Sequence, residues 1–273
     1  MNPYIEILRP NNALMALIAV ILMAIIGKTY SIEIILGAVS VFIATGAGNT
    51  INDYYDYEID MINKPDRPIP SGKIKREHAL YYSIILFVIA SILGFIISPE
   101  NGVTVIVCSI LMIVYAYSLK QKCLVGNISV ALLTGLTFVY GGFITKDVQL
   151  SCILAFFAFL MTLSREIIKD AEDIEGDKKE NANTFPIKYG VKNSVRLAVL
   201  LNIITCILSP VLYLTGIFSF TYLVIVLVAD IIFIYSAIIV LKNPSKENLS
   251  KVSKYMKIAM FVAFIAFAAG SII

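Results

Sequence analysis

The chain has 273 residues, 59% of them hydrophobic and only 15% charged, with a mean hydropathy of +0.85. Soluble globular domains carry about a quarter charged residues, so that class is excluded. The net charge of +3 says less than where the charges lie, and no nucleic-acid partner is expected.

Apolar runs recur along the chain, and a run of about 17–25 residues suffices to cross a bilayer core as a helix. The alternating ten-residue segments of a transmembrane barrel are not the pattern here. The predicted spans are 11–28, 31–51, 78–97, 102–119, 124–144, 149–168, 193–214, 218–241 and 252–272. The expectation is therefore an all-α membrane protein: one domain, residues 1–273, with nine transmembrane helices in a single bundle. Arg9-Pro10 precedes the first span, and no small-residue cleavage site marks a signal peptide. The lone His78 opens the third span, a helix-start or interfacial position rather than a catalytic one. Ser209-Pro210 predicts a kink or local break in the seventh span, since proline removes a helix hydrogen bond. Asp230 is a lone acid in the eighth; an intramembrane carboxylate is a functional candidate by default, and a hydrogen bond to a neighbouring helix is the competing reading. Cys108, Cys123, Cys152 and Cys206 are scattered without metal-ligand spacing and read as apolar filler.

Two connections are long, 52–77 and 169–192. Loops of that length in a compact bundle are usually functional or disordered. These hold charges of both signs and turn signals (Pro65, Pro68, Pro70, Ser71-Gly72, Gly176, Pro186), which predicts an ordered cap. The N-terminus, the connections after spans 2, 4, 6 and 8 and their flanks hold 20 of the 22 Lys and Arg residues; the other side has Lys28 and Lys146. By the positive-inside rule the N-terminus and both long loops are cytoplasmic and the C-terminus is outside.

Each long connection opens with acids. In Asn49-Thr-Ile-Asn-Asp-Tyr-Tyr-Asp-Tyr-Glu-Ile-Asp60, residues Asp53, Asp56 and Asp60 stand at i, i+3 and i+7. On a continuous helix they fall within about 60° of one another, with Asn49 in the same arc. Asp170, Asp173 and Asp177 repeat the spacing 117 positions later. The same offset aligns Asn49 with Glu166 and Asn52 with Lys169, which suggests an internal repeat of a four-helix unit. Four spans lie between the motifs, so both emerge on one face of the membrane.

A stripe of carboxylates repels itself, and a charge in mid-membrane costs about 2.5–3.5 kcal/mol, less near the interface. A hard divalent cation makes such a stripe favourable, because Mg²⁺ takes oxygen ligands and binds through one or two carboxylates together with phosphates. The motifs and their loops hold 13 of the 19 acids. They also bring Lys64, Arg67, Lys73, Lys75 and Arg76 from the first, and Arg165, Lys169, Lys178, Lys179 and Lys188 from the second. Arginine adds forked hydrogen bonds to phosphate oxygens, so the combination suits a diphosphate. For any single cation, positive-inside topology is an equal explanation. A salt-bridged surface loop is the bland reading of the acids.

These motifs resemble the UbiA superfamily of intramembrane prenyltransferases. The resemblance rests on Asn52-Asp53-x-x-Asp56-x-x-x-Asp60, on Lys64-Pro-Asp-Arg-Pro-Ile-Pro-Ser-Gly72, and on Asp173-x-x-x-Asp177 with Thr184-Phe-Pro-Ile-Lys188. Arg9-Pro10 and Tyr117-Ser-Leu-Lys120 are also similar to family motifs, and the match covers essentially the whole chain. It implies a nine-helix bundle with a cytoplasmic cap from loops 2–3 and 6–7, over a cavity open to lipid. It implies Mg²⁺, as two ions, held by Asp53, Asp56, Asp60, Asp170, Asp173 and Asp177, and a polyprenyl diphosphate donor. Asp53, Asp56, Asp173, Asp177, Tyr117 and Lys120 would carry catalysis. Arg9, Asn49, Asn52, Lys64, Arg67, Arg165, Lys169 and Lys188 would bind diphosphate or acceptor. Fixed cations and metal stabilise the leaving charge, and a bundle interior keeps the allylic cation from water. Aromatic faces stabilise such a cation; Tyr54, Tyr115, Tyr117 and Tyr140 are candidates, each more readily explained as packing. The small-residue face of span 5 (Gly126, Gly135, Gly141, Gly142) permits close helix packing.

Within the family, Ser164-Arg-Glu-Ile-Ile-Lys-Asp-Ala-Glu-Asp-Ile-Glu-Gly-Asp177 departs from the 4-hydroxybenzoate pattern. It is similar to members that prenylate a phosphorylated glycerol ether. That implies transfer of a geranylgeranyl group to the hydroxyl of geranylgeranylglyceryl phosphate. An aromatic or quinone precursor is the alternative acceptor. A cation transporter is a distant rival, since transporter sites lie near the midplane and only Asp230 does. A CDP-alcohol phosphotransferase lacks its Asp-Gly and Ala-Arg elements here.

Overall fold

The computed structural model describes residues 2–179 and 182–272; Glu180, Asn181 and the Lys179 side chain, all in the second long connection, lie outside the described residues. In chain order the helices are α1 (Pro3–Glu6), α2 (Pro10–Ile26), α3 (Ile32–Tyr55), α4 (Tyr57–Asn63), α5 (Arg76–Ile97) and α6 (Pro99–Val114), which continues as a π-helical segment, Tyr115–Leu119. There follow α7 (Val125–Thr145), α8 (Val148–Glu172), α9 (Ile174–Lys179), α10 (Phe185–Tyr189), α11 (Val191–Leu208), α12 (Val211–Leu214), α13 (Phe220–Lys242) and α14 (Lys246–Ile272).

Among the described residues, eight helices are long and apolar enough to cross a membrane, counting Pro99–Leu119 and Val191–Leu214 as continuous. The ninth expected span is α2, an apolar helix of 17 residues. At 1.5 Å per residue it is about 25 Å long, against a hydrocarbon core of about 30 Å. The hydropathy run over 11–28 overstated it, because Gly27 caps the helix and Lys28 turns out with φ 48. Conversely α3 and α8 run past their apolar stretches to Tyr55 and Glu172, carrying the first acids of each motif on helix. Backbone hydrogen bonding continues where hydropathy stops.

The chain divides into two compact units, Met1–Lys120 with Leu136–Ala155, and Gln121–Gly135 with Phe156–Ile273. In the first, α3 packs on α2 and α5, and α5 on α6. The α5 residues turned inward are mostly small (Ala79, Ser83, Ala90, Gly94, with Phe87), while Tyr81, Ile84, Ile85, Val88, Ile92 and Ile96 face outward. With lipid as solvent, close backbone approach replaces apolar burial as the organising force. A Cβ on Gly94 would stand 3.0 Å from the Gly102 Cα, and one on Gly141 of α7 would stand 2.8 Å from the Met23 Cβ of α2. Tyr140 is buried in the cluster of Val20, Ala38, Val41, Ala44, Ala90 and Val105, so it packs. A second cluster, Ile7, Ile69, Ile74 and Ala79 with Tyr57 and Tyr82, ties the N-terminal segment and the first long connection to α5.

In the second unit α13 packs on α14 and α11 on α13. Ser164 Oγ donates to the Ala198 carbonyl at 2.8 Å and joins α8 to α11. A local break stands at the expected place: α11 ends at Leu208, and the chain resumes as α12 after Ser209-Pro210. Asp230 accepts from Ser209 Oγ at 2.6 Å, and Tyr222 Oη donates to the Ser209 carbonyl at 2.9 Å. The lone acid thus bonds the neighbouring helix at its break. His78 is exposed in the first turn of α5, and the four cysteines are free thiols.

The two acidic motifs share a local architecture. α3 ends at Tyr55, Asp56 has φ −80 and ψ 4, and α4 begins at Tyr57. At the same offset α8 ends at Glu172, Asp173 is a bend, and α9 begins at Ile174. The bonds flanking each break also correspond: Asp56 N–H to Asn52 and Asp60 N–H to Asp56, then Asp173 N–H to Lys169 and Asp177 N–H to Asp173.

Candidate active site

In the first unit, Asp53 and Asp60 are each 2% exposed. Arg67 Nη1 donates to both, to Asp53 Oδ1 at 3.1 Å and to Asp60 Oδ2 at 2.5 Å. The two carboxylates therefore converge across the break in the helix. Arg9 pairs with the same Asp53 oxygen through Nη2. It reaches it from a left-handed backbone, φ 49, at the start of α2. A non-glycine residue there is strained, and Asn49 holds the preceding residue by donating from Nδ2 to the Leu8 carbonyl at 2.8 Å. Burial pulls the Arg9 guanidinium below its usual pKa, and Asp53 beside it pushes the other way.

Asp56 is half-buried, accepts from Asn52 Nδ2 at 2.8 Å and pairs with Lys120 Nζ. Lys120 follows the π-helical segment, bonding its N–H to the Tyr115 carbonyl at 3.2 Å. Tyr117 on that segment is 72% exposed, and its ring lies 5.6 Å from that of Tyr55. The Lys64 side chain is exposed, while its N–H bonds the Asp60 carbonyl at 2.9 Å. Further backbone bonds order the connection, from Arg67 N–H to Lys64, Ser71 N–H to Arg67 and Ile74 N–H to Pro68.

In the second unit, Asp170 is half-buried and accepts from Asn127 Nδ2 at 2.8 Å. One turn earlier Glu166 accepts from Arg165 Nη1 at 3.0 Å and from Lys169 Nζ at 3.0 Å. Arg165 also donates from Nε to the Ser253 carbonyl of α14 at 3.4 Å. Asp173 is exposed and Asp177 half-buried. Lys188 is exposed on α10, its Nζ 5.3 Å from the Tyr189 ring centroid. A parallel bridge between Lys122 and Asn183 holds this connection to the segment before α7.

The structure thus gathers Asp53, Asp60, Arg9 and Arg67 in one group and Asp56, Asn52 and Lys120 in another, both in the first unit. In the second it groups Arg165, Lys169 and Glu166, and pairs Asp170 with Asn127. Asn49 turns to the Leu8 carbonyl and Lys188 to Tyr189. Sequence reasoning missed Asn127 and Glu166 as partners; Glu166 had a signal in its alignment with Asn49, Asn127 had none.

Among the described residues no three His, Cys, Asp or Glu side chains are grouped as a metal cage. The residues nonetheless fit Mg²⁺. Their carboxylates are hard oxygen donors, and this ion binds through one or two of them with phosphate oxygens and water completing the octahedron.

The UbiA prenyltransferase family model matches residues 13–265. A digeranylgeranylglyceryl phosphate synthase from Methanosphaera stadtmanae is 71% identical over 272 residues, covering all of both chains. A solved structure from work on digeranylgeranylglyceryl phosphate synthase in membranes superposes with a TM-score of 0.87 at 40% identity, over 99% of this chain and 98% of that one. A UbiA homologue from Archaeoglobus fulgidus bound to GPP and Mg²⁺ shares the fold, with a TM-score of 0.65 at 18% identity over 97% and 99% of the two chains. With the family model matching most of the chain and a 71% identical relative covered end to end, this chain belongs to the UbiA prenyltransferase family.

Proposed function

We propose that the chain transfers a geranylgeranyl group from geranylgeranyl diphosphate to the free hydroxyl of geranylgeranylglyceryl phosphate, a step of ether-lipid synthesis. The observation that carries the choice of substrates is the end-to-end 71% identity with a relative named for that product. The bond between the allylic carbon and the diphosphate oxygen breaks, the acceptor oxygen bonds that carbon, and its proton and diphosphate leave.

When bound, Mg²⁺ supplies positive charge that neutralises the leaving diphosphate. Two ions would be held by Asp53, Asp56 and Asp60 and by Asp170, Asp173 and Asp177. Arg67 and Arg9, already pointed at Asp53, present forked donors to phosphate oxygens. Lys120, Asn52, Lys64, Arg165, Lys169 and Lys188 add charge or donors for the diphosphate and the acceptor phosphate. Asn49 acts through Leu8, holding Arg9 in place. Tyr117 offers an exposed ring face to the developing allylic cation. We read residues 1–273 as one functional domain built on two related units, supported by the break repeated at Asp56 and Asp173. In this reading the short helix α4 of the first unit and the short helices α9 and α10 of the second lie on the cytoplasmic side of a lipid membrane, and the C-terminus lies outside.

The test is transfer by the purified protein with Mg²⁺ and geranylgeranyl diphosphate, each acceptor offered separately. Product is expected with geranylgeranylglyceryl phosphate. Transfer to an aromatic acid alone would overturn the proposal.

A further inference from the structure

A helix that stops leaves carbonyls needing partners from outside it. At the break in the first motif, the Tyr54 carbonyl accepts from Arg76 Nε at 3.2 Å. Arg76 opens α5, 22 residues further along the chain. Its guanidinium carbon lies 4.9 Å from the Tyr54 ring centroid and 5.1 Å from that of Tyr57. It thus contacts the residues on both sides of Asp56, where the backbone leaves helical geometry. Its ion pair with Glu58, at 3.8 Å, is between side chains 41% and 79% exposed and contributes little. The carbonyl bond and the two ring faces are what hold it. Among the described residues its hydrogen bond, ring contacts and ion pair are with Tyr54, Tyr57 and Glu58, and none of these is with Asp53, Asp56 or Asp60.

We propose that Arg76 is a positioning residue for the metal site: it locks the break at Asp56 and so fixes the angle between Asp53 on α3 and Asp60 on α4. This rests on the reading of those acids as the Mg²⁺–diphosphate site. The second motif has the same break without this device, since the positions offset by 117 from Tyr54, Tyr57 and Arg76 are Ala171, Ile174 and Asn193. The first break carries a dedicated clamp because two buried carboxylates flank it and must converge on one guanidinium nitrogen. An arginine suits the role and a lysine does not. Only the planar guanidinium lies against aromatic faces while donating along its edge.

The test is Mn²⁺ binding to the full-length protein in detergent, titrated by electron paramagnetic resonance, alone and with inorganic diphosphate. Arg76→Ala should weaken Mn²⁺ binding by about tenfold or more, the usual consequence of losing a group that orients metal ligands. Arg76→Lys should share the loss, and Tyr57→Leu, which removes one ring face, should fall between. Prenyl diphosphate KM at saturating Mn²⁺ should stay unchanged in all three. Wild-type Mn²⁺ affinity in Arg76→Lys would make charge alone responsible and overturn the proposal. So would unchanged Mn²⁺ affinity with a raised diphosphate KM in Arg76→Ala, which would make Arg76 a direct diphosphate contact. If Arg76→Ala elutes unfolded, Tyr57→Leu decides. Wild-type protein that binds no Mn²⁺ under either condition would defeat the proposed function and this inference together; wild-type binding matched by the variants would defeat the inference alone.

Discussion

Asp53→Asn separates the folding and catalytic roles of one of the two most enclosed acids. Asp53 is 2% exposed, and both Arg9 and Arg67 bond the same oxygen, Oδ1. Asparagine keeps a carbonyl oxygen in that place, so both bonds survive as neutral-acceptor bonds. The guanidinium donors stay charged, so each bond falls at most from the upper to the lower end of the about 1.5–3 kcal/mol span for bonds to a charged group, a loss of up to about 3 kcal/mol for the pair. The guanidinium side chains are 29% and 22% exposed, so rehydration reduces this to about 1–2 kcal/mol. For a chain of this size that is a fall of about 2–8 °C in the unfolding midpoint. Turnover should fall far more, by at least about 100-fold, as when one preorganised group is lost from a charge-stabilising site. Alanine would instead leave two guanidinium groups facing a hole, confounding the two effects. The assay pairs thermal unfolding in detergent with single-turnover prenyl transfer, for Asp53→Asn, Arg67→Gln and the double variant. Their shared contact predicts a coupling of about 0.5–3 kcal/mol in stability. Zero coupling, or turnover near wild type in Asp53→Asn, would refute the reasoning.

Asp173→Ala, at an exposed position on the second break, should abolish turnover while leaving stability within about 0.5 kcal/mol, as for surface substitutions; circular dichroism melting and product formation check both. Chelation by EDTA should stop prenyl transfer, and added Mg²⁺ should restore it, followed as diphosphate release. Asp230→Asn retains an acceptor for Ser209 Oγ and lies outside the proposed metal set, so turnover should stay close to wild type. Complete loss there would move part of the site into the α11–α13 contact.

Hydropathy and charge made most of the helices and both motifs legible, but three features escaped for identifiable reasons. The run over 11–28 did not reveal that Gly27 and Lys28 leave the helix, because hydropathy does not report φ. The stripe of Asp53, Asp56 and Asp60 assumed one continuous helix, whereas the chain bends at Asp56; the outer two acids still converge because Arg67, from the following loop, bridges them. Asn127 on Asp170 and Arg76 on Tyr54 are tertiary contacts across 43 and 22 residues, which leave no local pattern to read. Glu166 shows the middle case. Its alignment with Asn49 marked the position, yet only the structure shows a carboxylate gathering two cations.

The two breaks share their backbone hydrogen-bond pattern and differ in electrostatics, and this predicts opposite responses of binding and catalysis. Asp53, Asp56 and Asp60 are met by Arg9, Arg67 and Lys120, with Arg67 shared between Asp53 and Asp60. Asp170 is held instead by the neutral Asn127, while Arg165 and Lys169 go to Glu166. In the first motif, then, each cation both holds a carboxylate and opposes a second cation approaching it. Lys120→Met removes one such opponent beside Asp56. A neighbouring unit charge shifts the occupancy of a charged partner by about one to three decades, so Mn²⁺ binding to the variant should tighten by about tenfold or more. Turnover should nevertheless fall, because the same ammonium is needed when charge develops on the departing diphosphate. Titration by electron paramagnetic resonance reads the first effect and single-turnover kinetics the second. If metal affinity falls together with turnover, Lys120 supports the carboxylate's geometry rather than opposing the metal, and the electrostatic account of the first motif is wrong.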